Sequence, residues 1–175
     1  MNFSIRQLTE QDAVAYRELR LESLQEAPYA FSSSYEEEAL YSLEHFAAWL
    51  KPLGSPPESY VLGAYTDAHA LVGTITFKRD TRLKARHKSM IYAMYTQAST
   101  RGHGVGKALV EEVIQRAKKM EGLEQIHLWV LHSTTSAANF YKKCGFQGQG
   151  PLVKNDLKIR DRYVDAEYMV LYLAE

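Results

Sequence analysis

The spacing of apolar positions changes several times along this chain, and each change marks an element. Phe3, Ile5 and Leu8 sit in a short strand-like segment. Thr9 stands where it can cap a helix, with Asp12 three residues on as a variant of the capping box. The spacing predicts a helix from Glu10 to about Gln25. Val14, Leu21 and Leu24, with Tyr16 and Leu19 near them, form its apolar positions, and Pro28 ends it. A second helix is expected from about Glu36 to Lys51, with Leu40, Leu43, Phe46, Ala47 and Leu50 on one face. Prolines and a glycine between Lys51 and Pro57 break it.

The period then shortens. Tyr60–Tyr65 and Leu71–Phe77 read as the two strands of an antiparallel hairpin, with a turn at Asp67–His69. Ser89–Thr96 is again strand-like. Between these strands, Arg79–Lys88 carries five basic side chains and His87, and is read as a solvated hairpin tip. A helical stripe returns at Val105, Leu109, Val113, Ala117 and Met120, stopped by Gly122. Ile126–Leu131 is a strand, Ser136–Cys144 a short helix stopped by Gly145, and Tyr163–Leu173 a final strand that offers a possible dimer edge.

Composition narrows the function classes. The 175 residues suit one domain, 1–175, with a full core better than two. Lysine plus arginine, 21, balances aspartate plus glutamate, 21, and this zero net charge argues against a dedicated nucleic-acid binder. The single cysteine, Cys144, precludes an intramolecular disulfide and a cysteine-rich metal site, so no metal is expected. No stretch approaches a membrane span or a signal peptide. A soluble cytoplasmic protein with no membrane partner is the expectation.

The most informative stretch is Thr96-Gln97-Ala98-Ser99-Thr100-Arg101-Gly102-His103-Gly104-Val105-Gly106-Lys107. A strand ends, a glycine-rich turn follows and a helix begins. Glycines let the backbone approach a ligand, and a helix start presents unpaired N–H groups and partial positive charge, which together suit phosphate or pyrophosphate. A Walker-type loop fails here, because the residue five before Gly106 is Arg101 and Lys107 is followed by Ala108. A dinucleotide fingerprint fails too: its third glycine falls on Lys107 or Leu109.

The run Arg101-Gly102-His103-Gly104-Val105-Gly106-Lys107-Ala108-Leu109 resembles the pyrophosphate loop of the GNAT N-acetyltransferases. Downstream, Phe140-Tyr141-Lys142-Lys143-Cys144-Gly145-Phe146 is similar to that family's penultimate-helix signature. The two motifs stand in the family's order and separation, and the elements from Phe3 to about Phe146 match as well. The resemblance implies an α/β fold of mixed α+β type: a mostly antiparallel sheet with helices on both faces. The strands ending at Thr96 and running around Leu128 should lie parallel and splay apart. It implies acetyl-CoA as co-substrate. The loop backbone would hold the coenzyme pyrophosphate, and the main chain of Met94, Tyr95 and Thr96 would pair with the pantetheine arm. Where family members often carry an asparagine facing that arm, this sequence has Thr134.

Acetyl transfer to an amine needs a proton acceptor for the amine, a donor for the thioester oxygen, and a proton for the departing thiolate. Backbone N–H groups near Met94–Thr96 are the candidates for the carbonyl, and Tyr141 for the general acid. Ser89–Thr96 holds no carboxylate to act as base. His132 is the candidate, with His127, Glu36, Glu37, Glu38 or ordered water as alternatives. Cys144 is read as packing. Tyr29, Phe31 and Tyr35 are the candidate walls of an amine pocket. The acceptor is expected to be a small-molecule amine, with a protein or peptide amine as the alternative. A third reading, a coenzyme A-binding sensor without catalysis, also stands.

Overall fold

The computed structural model describes residues 1–54, 57–132 and 135–173. Strands β1 (Phe3–Gln7), β2 (Ser59–Thr66), β3 (Leu71–Arg79) and β4 (Lys88–Thr96) form an antiparallel meander. β5 (Gln125–Leu131) joins β4 in parallel, and β8 (Arg162–Tyr172) returns antiparallel along β5. The far side of β8 carries β6 (Gln147–Gly148) and β7 (Val153–Ile159). The mixed, mostly antiparallel sheet expected from the resemblance is therefore present. The final strand is not an edge: β5 flanks it on one side, and β6 and β7 on the other.

Helices cover both faces. On one, α4 (Val105–Ala117) lays Val105, Leu109, Val113 and Ala117 against Leu62, Ile75, Phe77, Ile91 and Leu128. This is the stripe read from its spacing. On the other, α1 (Ala13–Glu26) and α3 (Leu43–Leu50) place Tyr16, Leu19, Phe46 and Leu50 on Leu8, Val61, Leu71 and Tyr95. Complete burial of each large apolar side chain contributes about 1.5–3 kcal/mol. α5 (Thr135–Lys143) packs over β5.

Three local expectations change. In α1 the buried positions are 13, 16, 19, 20, 23 and 24, so Val14 points outward and is 55% exposed. The helix expected over Glu36–Lys51 is two pieces, α2 (Tyr35–Glu38) and α3. Ser34 and Glu37 close a capping box at the start of α2, and the Ser42 hydroxyl accepts from the His45 N–H at 3.3 Å to start α3. The break rotates the faces: Leu40 is 85% exposed and Leu43 is exposed, while Phe46 and Leu50 stay in the core. The basic stretch is also not uniformly solvated. Arg82, Leu83 and Lys84 face water, but Arg79 is 8% exposed. Its guanidinium donates to the carbonyls of Arg86 (2.7 Å) and Glu121 (2.9 Å) and meets Glu58 at 3.3 Å.

A buried ion pair ties the helical layer together. Arg20 donates from Nε and Nη2 to the two Glu38 carboxylate oxygens at 2.8 and 2.6 Å. The Phe31 ring lies over the same guanidinium at 5.0 Å, so this pair also pins the loop between α1 and α2. Removing one partner of such a pair leaves an uncompensated buried charge. Glu38→Ala is expected to lower stability by about 3–5 kcal/mol in urea denaturation. A loss of less than about 1 kcal/mol, the range of surface pairs, would show that the pair is not a buried one.

Candidate functional site

The site begins where β4 and β5 part. Their ladder holds only for Lys88–Gln125, Ser89–Ile126 and Met90–His127. Beyond Met90 the strands separate, as the resemblance implied. The β3–β4 register shifts between Thr74, opposite Tyr95, and Thr76, opposite Tyr92. One residue of β3 thus faces two of β4, a bulge, and Ala93 sits in it at φ 49°, in the left-handed region. The Gln97 N–H donates to the Val72 carbonyl at 2.9 Å, which sets the phase of the ladder. Alternate residues of an antiparallel ladder turn their main-chain groups to a given neighbour. Tyr95 therefore bonds on the β3 side with Gln97, and Thr96 turns its N–H and C=O toward the gap.

A cavity of about 1080 Å³ occupies this gap. Its walls come from Met90–Met94 of β4, Leu128–Leu131 of β5, Ala27–Ser33 after α1, and Ser136, Ala137 and Tyr141 of α5. Asp156, Leu157 and Arg162 of the β7–β8 hairpin close another side.

The glycine loop lies beside the cavity. Gly102 and Gly104 have φ of 79° and 85°, with nothing within 4 Å of a side chain built on either. The first helical bond of α4 runs from the Ala108 N–H to the Gly104 carbonyl at 2.9 Å. The N–H groups of Val105, Gly106 and Lys107 precede it and stay open among the described residues, a ready anion site. Arg101 lines the cavity and pairs with Glu26 at 2.9 Å. His103 Nδ1–H donates to the Arg101 carbonyl at 3.1 Å. Val105 is a core side chain, and Lys107 is exposed near Glu111 at 3.4 Å.

Tyr141 projects from α5 and its hydroxyl donates to Met94 Sδ at 3.3 Å. Burial raises its pKa above the usual phenol value, with the Cys144 thiol adding to the shift, so the hydroxyl keeps its proton. Burial raises the Cys144 thiol as well, which suits packing rather than nucleophilic work.

The profile of the acetyltransferase (GNAT) family matches residues 17–146. The chain belongs to the GNAT acetyltransferase family. An uncharacterized N-acetyltransferase of Methanocaldococcus jannaschii is 32% identical over 82 residues, which cover 47% of this chain and 35% of that relative. The L-amino acid N-acetyltransferase AaaT of Escherichia coli is 29% identical over 121 residues, covering 69% of this chain and 73% of the other. A GNAT-family acetyltransferase from Streptococcus pneumoniae superposes with a TM-score of 0.86 at 22% identity, over 99% of this chain and all of that one. The chain is thus an acetyl-transferring enzyme, of a family that generally uses acetyl-CoA.

In this GNAT enzyme the residues singled out from sequence fall into three groups. Met94, Arg101, Tyr141, Tyr29 and Phe31 meet on the cavity wall. Thr96, Gly102, His103, Gly104, Val105, Gly106 and Lys107 are not wall residues; they form the strand end and the loop on either side of Arg101. Tyr95 turns its ring onto α1, where its hydroxyl bonds Glu22 at 3.0 Å and also Glu26. Tyr35 begins α2, away from the wall. His132 is likewise off the wall, with Nε2 held at 2.7 Å by Glu167. His127 is buried, which lowers its pKa, and both ring nitrogens are engaged, by Tyr168 and by Gln125. Glu37 caps α2, Glu38 pairs with Arg20, and Glu36 is exposed. Thr134 lies outside the described residues.

Wall residues that the sequence reading missed include Glu26, Tyr92, Trp129, Asp156 and Arg162. Tyr92 and Trp129 carried a signal: large aromatics at strand positions whose neighbours Ile91, Leu128 and Val130 fill the core. Glu26, Asp156 and Arg162 carried none. Among the described residues, no group of three or more His, Cys, Asp or Glu side chains is placed to hold a metal ion.

The bulge can be tested without substrate. Ala93→Val puts a β-branched side chain into the left-handed region and should lower stability by about 1–3 kcal/mol. Ala93→Gly, which adopts that conformation freely, should stay within about 1 kcal/mol of the parent. Urea midpoints compare the two; equal stability of all three chains would contradict a left-handed residue 93.

Proposed function

We propose that residues 1–175 work as one acetyl-CoA-dependent N-acetyltransferase domain that passes acetyl directly to a small primary amine. The observation that carries this reading is the cavity between β4 and β5, into which Tyr141 and Met94 project and beside which the open N–H groups of α4 stand. Acetyl-CoA supplies the activated acetyl group as a thioester. The first-turn N–H groups of α4, with Arg101, take the pyrophosphate, and the outward main chain of Thr96 pairs with the pantetheine amides. Open space around Gly102 and Gly104 accommodates that close approach.

Tyr141 acts as the general acid: its raised pKa keeps a proton ready for the departing thiolate. Backbone N–H groups near the bulge polarise the thioester carbonyl. An alkylamine has a pKa near 10 and must lose a proton before attack. With Nε2 of His132 taken by Glu167, only Nδ1 is left to accept it, and His132 lies off the wall. This reading therefore gives the proton to water in the open cavity. The acceptor is read as a compact amine and not a protein terminus. A relative named for L-amino acids is in keeping with that choice.

The test is thiol release from acetyl-CoA across amines, amino acids and peptides. Tyr141→Phe should lower kcat about tenfold or more. Because burial holds the phenol protonated above its ordinary pKa near 10, the deficit should be the same at about pH 7 and about pH 9.5. kcat/KM should rise over that window as the free amine fraction grows. His132→Gln should stay within about threefold of the parent, since a general base is worth a hundredfold or more. Acetyl-CoA that fails to bind at all would remove the reading.

A further inference from the structure

We propose that the acceptor is zwitterionic, a small amine that also carries a carboxylate, and that Arg162 takes the carboxylate. This rests on the acetyltransferase reading and names the substrate class of the same cavity.

Five charged side chains line the cavity: Arg20, Glu26, Arg101, Asp156 and Arg162. Three of them are already matched. Arg20 is charge-paired with Glu38 through Nε and Nη2 and lies beneath the Phe31 ring, while its buried Nη1 has no hydrogen-bond partner among the described residues. Glu26 is held by Arg101 at 2.9 Å and by the Tyr95 hydroxyl, and the acetyltransferase reading gives Arg101 to the pyrophosphate. Asp156 and Arg162 remain. Both are exposed, and neither has an ion-pair partner among the described residues. The open charges of the wall are thus one anion and one cation, on neighbouring strands of one hairpin.

That pairing discriminates between acceptor classes. A polyamine brings two or more cations to a wall with one open carboxylate and an arginine that repels it. A strongly anionic acceptor meets Asp156. An amino-acid-like molecule brings a single cation, which one open carboxylate can balance, and a carboxylate for Arg162 to hold.

Arg162 is also arranged for this role. Its guanidinium lies over the Tyr29 ring at 5.0 Å from the centroid. Among the described residues no acceptor takes its N–H donors, whose fork geometry matches a carboxylate. The ring also restrains a long side chain in advance, so less freedom is lost on binding. The cavity wall also carries Phe31, Met90, Tyr92 and Trp129, so an amino acid with a large apolar side chain is the acceptor to test.

The experiment compares phenylalanine, phenylalaninamide and phenethylamine, which share a ring and an amine and differ in the carboxylate. kcat/KM for phenylalanine should exceed that for the other two by about tenfold to a hundredfold, the worth of a charge-assisted contact. In Arg162→Gln this preference should fall toward unity, mainly through a higher KM for phenylalanine, and Arg162→Lys should restore part of it. Calorimetric titration of phenylalanine into the full chain saturated with coenzyme A reads the same contact without turnover, and binding should weaken in Arg162→Gln. Three acceptors with equal kcat/KM, unaffected by Arg162→Gln, would overturn the inference and leave the acetyltransferase reading standing. Coenzyme A binding with no thiol release to any amine or peptide would overturn both.

Discussion

Everything at the site depends on two parallel strands that stop pairing after Met90 while each stays fixed on its outer side. An unpaired strand edge normally frays, because its N–H and C=O groups gain nothing from holding an extended shape. Here β4 is held by β3 up to Thr96, and β5 is paired with β8 over its whole length, from Gln125 to Leu131. The gap is therefore a built wedge, not a melted end. The bulge at Ala93 keeps it open, since an extra residue on β4 bends that strand and increases its twist away from β5. Backbone polar groups lining the wedge are left for solvent or for an extended amide-bearing chain, which is what the pantetheine arm offers under the proposed reading.

The walls around the wedge are joined by polar contacts between segments distant in sequence. Glu26, at the end of α1, holds both the Arg101 guanidinium and the Tyr95 hydroxyl, so one carboxylate couples the first helix to the glycine loop. Phe31 rests on the Arg20–Glu38 pair, and Tyr29 stacks with Arg162 across the cavity. The loop between α1 and α2 is thereby fixed at its base by a buried ion pair and at its tip by an exposed cation–π contact. Contacts of the second kind are worth only about 0.5–1 kcal/mol. The base of the loop is thus held more firmly than its tip.

What could be read in advance follows from how local each feature is. The hairpin of β2 and β3 and the stripe of α4 rest on neighbouring residues alone, and the structure has both, although α4 ends at Ala117, ahead of the expected stop at Gly122. The capping box Ser34-x-x-Glu37 is equally local, and it marks the start of α2 one residue before the boundary drawn from apolar spacing. Val14, Leu40 and Leu43 were assigned inward because they are apolar, yet burial depends on which helix face meets the sheet, a tertiary matter. Arg79 shows the converse: a cation in a basic run is buried because the carbonyl of Arg86, in the same run, and that of Glu121, 42 residues on, converge on it. The strand β7 reads as polar, Val153-Lys154-Asn155-Asp156-Leu157-Lys158-Ile159, and owes its form to pairing with β8. The charges of Asp156 and Arg162 gain meaning only when that hairpin folds against Tyr29.

The two motifs that carried the resemblance turn out to be one physical unit. Gly106 has ordinary backbone angles, so no turn requires glycine there. A Cβ at that position would instead stand 3.0 Å from Met94 Cε and 3.7 Å from both the Phe140 ring and the Thr96 methyl. Its smallness lets the first turn of α4 settle onto β4 just past the bulge. Phe140, from the second motif, fills the same spot from α5, and the next residue, Tyr141, reaches Met94 Sδ. A glycine of the loop thus fixes how closely α4 approaches the strand that carries Met94. Phe140 then fixes where the phenol stands relative to both. Met94, Gly106 and Tyr141, from three separate elements, thus meet at one spot, and that packing sets how far the open N–H groups of α4 stand from the Tyr141 hydroxyl.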